Sequence, residues 1–245
     1  MPEKETAKAK KSDYGISVDE MAEAGVYFGH RISKCHPKMK PYILGVKGSD
    51  HINIIDLEQT KAFLIKALDC IKELTQEGKT ILLVGTKIPT KKIVRETAEA
   101  CGLPYVVQRW IGGALTNFKI IRKRIEYFKD IEQKKASGEL EKYTKKEQLE
   151  FDKELSRLAI KFGGIKDMEK MPDALLVLDM RQDDLAIKEA KMKGLKIIAI
   201  ADTNVDPTKV DYPIPANDDA ITAVKYILEK VKFVILENRG TKGKK

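Results

Sequence analysis

The chain has 245 residues, 42% of them hydrophobic and 34% charged, a globular composition long enough to bury a core without disulfides or a structural metal. No apolar run approaches the roughly 18 residues of a membrane span, and residues 1–15, with Lys4, Lys8, Lys10 and Lys11, lack the apolar stretch of a secretory signal. Three widely spaced cysteines, Cys35, Cys70 and Cys101, suit a reducing compartment, so a cytoplasmic, non-membrane protein is expected. Net charge is +9, from 46 basic against 37 acidic residues. Residues 1–170 carry 33 basic and 25 acidic side chains, residues 171–237 carry 9 and 12, and residues 238–245 add four basic ones. A polyanion-facing surface is therefore expected in the first two thirds of the chain and in its tail. Lysine outnumbers arginine 38 to 8, which favours point-charge contact with phosphates over bidentate reading of base edges.

In chain order, residues 1–15 are too polar to build a packed core and are read as a disordered basic tail. Ser17-Val18-Asp19-Glu20 has capping-box spacing and predicts a helix over 17–25 that Gly25 ends. HINIIDL (51–57) reads as a strand, the stretch to Gly78 as a helix, TILLVGT (80–86) as a buried strand and 90–101 as a helix. YVVQ (105–108), ALLVLD (174–179) and KIIAIAD (196–202) supply further strands, with helices near 184–193 and 218–236. Short Val/Ile/Leu runs joined by helices imply a parallel sheet covered on both faces, a three-layer α/β fold of about five strands.

Residues 117–162 break the alternation, with no strand pattern. Phe118, Ile121, Ile125 and Phe128 recur at coiled-coil spacing, as do Phe151, Leu155, Leu158 and Phe162, with a polar break at Ala136-Ser137-Gly138. The pattern predicts an antiparallel helical hairpin protruding from the sheet domain. The expected division is a tail over 1–15, a sheet domain over 16–116 and 163–237, an inserted coiled-coil hairpin over 117–162 and a basic tail over 238–245. The hairpin carries 13 basic against 9 acidic residues, and Lys119, Arg122, Lys123, Arg124 and Lys129 crowd the root of its first helix.

An α/β fold raises the question of a nucleotide enzyme. Gly78-Lys79-Thr80 resembles the end of a phosphate-binding loop, but Glu73 stands where the first glycine belongs, and the segment leads into a strand. No GxGxxG follows an early strand. Asp179 and Asp202 each close a predicted strand and could together hold Mg²⁺ for a phosphate-handling enzyme. The competing expectation is that they cap turns. Asp202-Thr203-Asn204-Val205-Asp206 imitates a calcium loop, but Pro207 and Pro213 occupy its glycine and glutamate positions. His30, Cys35, His36 and His51 match no common zinc spacing. No catalytic residue, cofactor or metal is predicted.

Binding has more support. His30-Arg31 and Lys38-Met39-Lys40-Pro41-Tyr42 place cations beside an aromatic ring. Arg109-Trp110 leads through Gly112-Gly113 into Asn117 and the basic hairpin root. Cations hold phosphates, and rings or guanidinium planes stack on unpaired bases; the alternative is that Trp110 and Tyr42 are packing residues.

These segments resemble the bacterial type of the small-subunit ribosomal protein two family. The blocks that carry the resemblance include EAGVYFGHR (23–31), HPKMKPYI (36–43), HINIIDLEQT (51–60), VGTK (84–87), PYVVQRWIGGALTNFK (104–119), FGGIKDM (162–168), PDALLVLD (172–179) and ADTNVDPTKVDYPIPANDDAI (201–221). The resemblance implies a flavodoxin-like sheet with a coiled-coil hairpin and a structural, non-enzymatic component of the cytoplasmic ribosome. It further implies binding to small-subunit rRNA at the junction of head and body, contact with neighbouring ribosomal proteins, and help in docking ribosomal protein one for mRNA recruitment. No small-molecule substrate and no membrane partner is implied. By block position it carries RNA contacts to His30, Arg31, Lys38, Lys40, Arg109, Trp110, Asn117, Lys119, Arg122, Lys123 and Arg124; Lys87 and Arg95 are added on charge.

Overall fold

The computed structural model describes residues 14–49 and 51–239; most of the expected N-terminal tail and all but the first two residues of the C-terminal one lie outside the described residues. Eight strands and seven α-helices, with short 3-10 turns between them, are present among those residues. In chain order they are α1 (Val18–Glu23), β1 (Phe28–Arg31), β2 (Ile43–Lys47), β3 (Ile52–Ile55), α2 (Leu57–Gln76), β4 (Ile81–Val84), α3 (Lys91–Cys101) and β5 (Tyr105–Val106). Then follow α4 (Phe118–Ala136), α5 (Lys145–Phe162), β6 (Ala174–Val177), α6 (Asp184–Met192), β7 (Lys196–Ala201), β8 (Tyr212–Pro215) and α7 (Ile221–Arg239).

The main sheet is parallel, in the order β5-β4-β6-β7-β8, which is the flavodoxin-like order of a doubly wound sheet. Side chains alternate across it because successive residues of a strand point to opposite faces. Ile81, Leu83, Leu176, Ile198, Ile200 and Ile214 pack with α2, α3 and α7 on one side. Leu82, Val84, Leu175, Val177, Ile197 and Ala199 face α6 on the other, and that core runs on without a break into Ile121, Ile125, Phe128, Leu158 and Phe162 of the hairpin. The two hairpin helices thus share their apolar seam with the sheet at one end. At the far end Thr144 caps α5 reciprocally with Glu147.

Two expectations are corrected. The 51–57 strand exists as β3, but it lies in a separate antiparallel sheet ordered β1-β3-β2, whose partners are supplied by segments without a clear period-two pattern. The fifth strand of the main sheet is instead β8, Tyr-Pro-Ile-Pro. Two prolines argue against a central strand but are tolerated at an edge, where alternate N–H groups point away from the neighbour; β8 pairs only with β7.

The chain returns from the hairpin to the sheet over Gly163-Gly164. A Cβ on Gly164 would lie 2.6 Å from the ring of Tyr105, the first residue of β5, and it would also meet the Tyr105 carbonyl. Only glycine allows this approach. Gly164→Ala is expected to lower stability by about 1–3 kcal/mol through overpacking, measured by chemical denaturation; a variant as stable as the parent would show that the hairpin return is not seated there.

Candidate nucleic-acid interface and its support

In a doubly wound sheet, ligands bind beyond the carboxyl ends of the strands, at the point where strand order reverses, here between β4 and β6. That position is filled by the protein itself. Lys87, three residues after β4, places its Nζ 3.2 Å from Asp179, 2.8 Å from Asp218 and 2.6 Å from Asp219. Burial alone would lower its basicity, but the hydrogen bonds to Asp218 and Asp219 outweigh it and hold the ammonium well above the ordinary lysine range. Thr86 donates its backbone N–H and hydroxyl to the buried Asp183, whose carboxyl burial pushes up to about 6.

β1 closes the same rim. Gly29 lies flat against Thr203, where a Cβ would come within 2.6 Å of the threonine methyl. The approach delivers His30, whose Nδ1 is 3.1 Å from Asp202 and whose Nε2 is 3.4 Å from Asp219. The hydrogen bond to Asp202 raises the imidazole's basicity against the opposing effect of burial. Asn204 places its amide nitrogen 3.1 Å from Nε2, and its Oδ1 is the one buried side-chain oxygen without a partner among the described residues. A half-turn of the amide would present that oxygen to the imidazolium.

Both strand-end aspartates are therefore satisfied by protein donors. Asp179 accepts the N–H groups of Arg181 and Gln182, each at 2.8 Å, and Asp202 accepts from Thr203 as well as facing His30. The turn-capping expectation holds for them, and the Mg²⁺-carboxylate arrangement loses its open ligands. His30, Asp202 and Asp219 form the one group of His, Cys, Asp or Glu ligand atoms close enough to share a cation among the described residues. Their mutual hydrogen bonds already account for that proximity. Cys35, His36 and His51 do not join it.

The second centre is a buried carboxylate beneath the loop that enters the hairpin. Glu189 on α6 is 4% exposed. Its Oε1 accepts Trp110 Nε1 at 3.1 Å and Gly113 N–H at 2.8 Å; its Oε2 accepts the N–H groups of Leu115 and Thr116 at 3.0 and 3.1 Å and the Thr116 hydroxyl at 3.0 Å. Burial works to protonate it, yet the donors from Thr116, Trp110, Gly113 and Leu115 prevail and keep it below the usual carboxylate range.

The predicted contact residues divide accordingly. Trp110, 6% exposed, is a packing residue and offers no ring face to a base. His30 and Lys87 are held in the rim ion pairs, so neither is a loose cation for phosphate. Lys38 is exposed but bonded to Asp206 and Thr208, and Arg95 is exposed but bonded to Glu99 and Tyr105. Arg31, Lys40, Arg109 and Asn117 are exposed. On α4, Lys119, Arg122 and Lys123 share one exposed face by their three- and four-residue spacing, with Arg124 beside them. Only Arg122 of these four has an ion-pair partner among the described residues, Glu126 one turn on. Sequence reasoning missed Glu189; an acid among the inward-facing Ala186, Ile187 and Ala190 of α6 was the available signal.

The domain is thus a flavodoxin-like α/β sheet whose crevice at the strand-order reversal is filled by internal ion pairs, with an exposed basic face at the root of its hairpin. The sequence pattern of the family described as Ribosomal protein S2 matches residues 21–238. A small ribosomal subunit protein uS2 from Coprothermobacter proteolyticus is 45% identical over 229 residues, covering 93% of this chain and 85% of that protein. One from Dictyoglomus thermophilum is 44% identical over 229 residues, covering 94% and 92%. The chain belongs to the ribosomal protein S2 family, whose members are structural and non-enzymatic. No helix among the described residues is long and apolar enough to cross a membrane.

The His30–Asp202 pair gives a direct test. A histidine whose folded midpoint is raised above 6.5 contributes stability that is complete below the unfolded value and lost as pH rises through the folded one. The His30 ring is expected to titrate above 6.5 by NMR, and its midpoint should fall in Asp202→Asn, where burial is left with less opposition; an unchanged midpoint would break the assignment.

Proposed function

We propose that the protein is a structural constituent of the small subunit of the cytoplasmic ribosome and that the α4 root of its hairpin binds small-subunit rRNA. The supporting observation is the exposed face of Lys119, Arg122 and Lys123, with Arg124 adjacent, on a helix anchored to the sheet by a continuous core. No acidic residue occupies the first turn of α4, and Asn117 makes no side-chain cap there. The positive end of the helix and the lysine and arginine charges therefore add rather than cancel, which favours phosphate. Arg109 and Asn117 flank the same loop, and Arg31 and Lys40 are further exposed members of the proposed contact set; Lys38 and Arg95 are hydrogen-bonded to neighbouring side chains.

The remaining expectations are part of the same proposal. The RNA site lies at the head–body junction, neighbouring ribosomal proteins pack on the sheet domain, and the protein helps dock ribosomal protein one for mRNA recruitment. For a protein contact the small antiparallel sheet is the best-suited surface. Tyr27 and Phe28 stack with ring centroids 4.1 Å apart, Lys47 lies 5.6 Å above the Phe28 ring, and Leu44 and Val46 on the edge strand are 74% and 50% exposed. An apolar, aromatic edge of this kind fits a protein better than a phosphate backbone.

Arg122→Ala combined with Lys123→Ala is expected to weaken binding to small-subunit rRNA and to reduce the salt dependence, the slope of log K against log salt, by roughly two. Filter binding across a salt series measures both. A slope equal to that of the parent would take the hairpin root out of the RNA interface.

A further inference from the structure

We propose that Glu189, buried beneath the entry loop and not itself part of the exposed basic face, is the positioning residue that presets the hairpin root for RNA. This rests on the reading that the root binds rRNA. Residues 107–117 join β5 to α4, and the path of residues 110–117 fixes where α4 begins and therefore where Lys119, Arg122 and Lys123 point. A loop of that length with Gly112 and Gly113 in it has little conformational preference of its own; Gly113 adopts φ +87°, a region open to glycine at no steric cost. Two backbone bonds close turns within it, from Ala114 N–H to the Ile111 carbonyl and from Asn117 N–H to the Gly113 carbonyl, and the rest of its anchorage is external. Five donors spread over residues 110–116 converge on the two oxygens of one carboxylate carried by α6, and α6 is itself packed on the sheet through Ala186, Ile187 and Ala190.

The arrangement has a further consequence for charge. Lys119, Lys123 and Arg124 repel one another and the positive end of α4, and they have no acidic partner among the described residues. The loop before them is nevertheless bonded to Glu189 within the protein itself. The N–H groups of Gly113, Leu115 and Thr116 turn inward to Glu189, while Gly112 and Asn117 are exposed. Phosphates then meet a preformed row of cations, and the ordering cost of the loop is met on folding and not on binding.

Glu189→Gln separates positioning from electrostatics. The substitution keeps the shape of the side chain, replaces one acceptor oxygen with an NH₂ that faces N–H donors, and raises the net charge by one. By charge alone it should strengthen RNA binding. The proposal instead expects a folded full-length variant by circular dichroism, with faster amide exchange at Gly113, Leu115 and Thr116, about tenfold weaker binding to small-subunit rRNA and a shallower salt slope, as for the loss of one or two phosphate contacts. If Glu189→Gln does not fold, the Trp110→Phe, Thr116→Val double variant is used, since it removes two donors and leaves the carboxylate in place; it should weaken binding in the same sense by a smaller factor. Binding as tight as the parent's in whichever of these two variants is folded would overturn the proposal. Parallel measurement of the Arg122→Ala, Lys123→Ala variant distinguishes the two levels. If that variant binds rRNA as the parent does, the RNA reading of the root falls and the positioning role falls with it; if it loses binding while the Glu189 variant does not, only the positioning role is overturned.

Discussion

A single buried carboxylate holds the hairpin to the sheet domain in a defined direction. Glu189 brings a charge into the interior, which is costly unless that charge is paired or fully hydrogen-bonded, and five donors from one loop satisfy it. Hydrogen bonds to a charged group contribute about 1.5–3 kcal/mol each, and the buried donors among them, Trp110 Nε1 and the Leu115 N–H, would otherwise lack partners. The carboxylate and the loop are each tolerable only because the other is present. That mutual requirement makes the loop specific without any strong local preference in its sequence. The core that continues from Leu82 and Val84 into the hairpin seam supplies the bulk of the attachment, and Glu189 supplies its direction.

The carboxyl rim of the sheet follows the same logic with the opposite outcome for function. A doubly wound sheet gathers strand ends, loops and helix N-termini where an enzyme of this fold class would bind its ligand. Here five aspartates, Asp179, Asp183, Asp202, Asp218 and Asp219, gather there too, and they are balanced from within by Lys87, His30 and the hydroxyl of Thr86. Asp218, buried and crowded by Asp202 and Asp179, is pushed up to about 7 even though Lys87 lies against it. The rim is a closed electrostatic knot that ties β1 to β4, β6 and α7. Chemistry that would have been legible as a catalytic site is consumed in holding the small antiparallel sheet to the large one.

Much of the fold was legible because its core strands announce themselves. Ile81–Val84, Ala174–Val177 and Lys196–Ala201 are short Val/Ile/Leu runs with helices between them, and the hairpin seams repeat at three and four residues. β8 was not, because two prolines disguise an edge strand, and β3 was assigned to the wrong sheet because its partners β1 and β2 lack any pattern of their own. The binding residues show the limit more sharply. Lys87 and Lys123 are the same residue type in similarly basic surroundings, yet one is locked to aspartates 92 to 132 positions away in sequence and the other is free. Spacing reports on neighbours along a helix or strand, and it is silent about partners brought together by the sheet topology. Trp110 was caught between the same two possibilities, and its indole N–H on Glu189 decides for packing.

RNA is expected to meet the outward face at the hairpin root and not the sheet rim. Lysine-reactivity footprinting of the protein alone and within assembled small subunits tests it most directly. The account predicts that Lys119 and Lys123 are modified readily in the free protein and protected in the subunit, while Lys87, locked among its aspartates, reacts slowly in both. Lys119 and Lys123 equally reactive in the two states, with protection confined to lysines elsewhere on the domain, would contradict it.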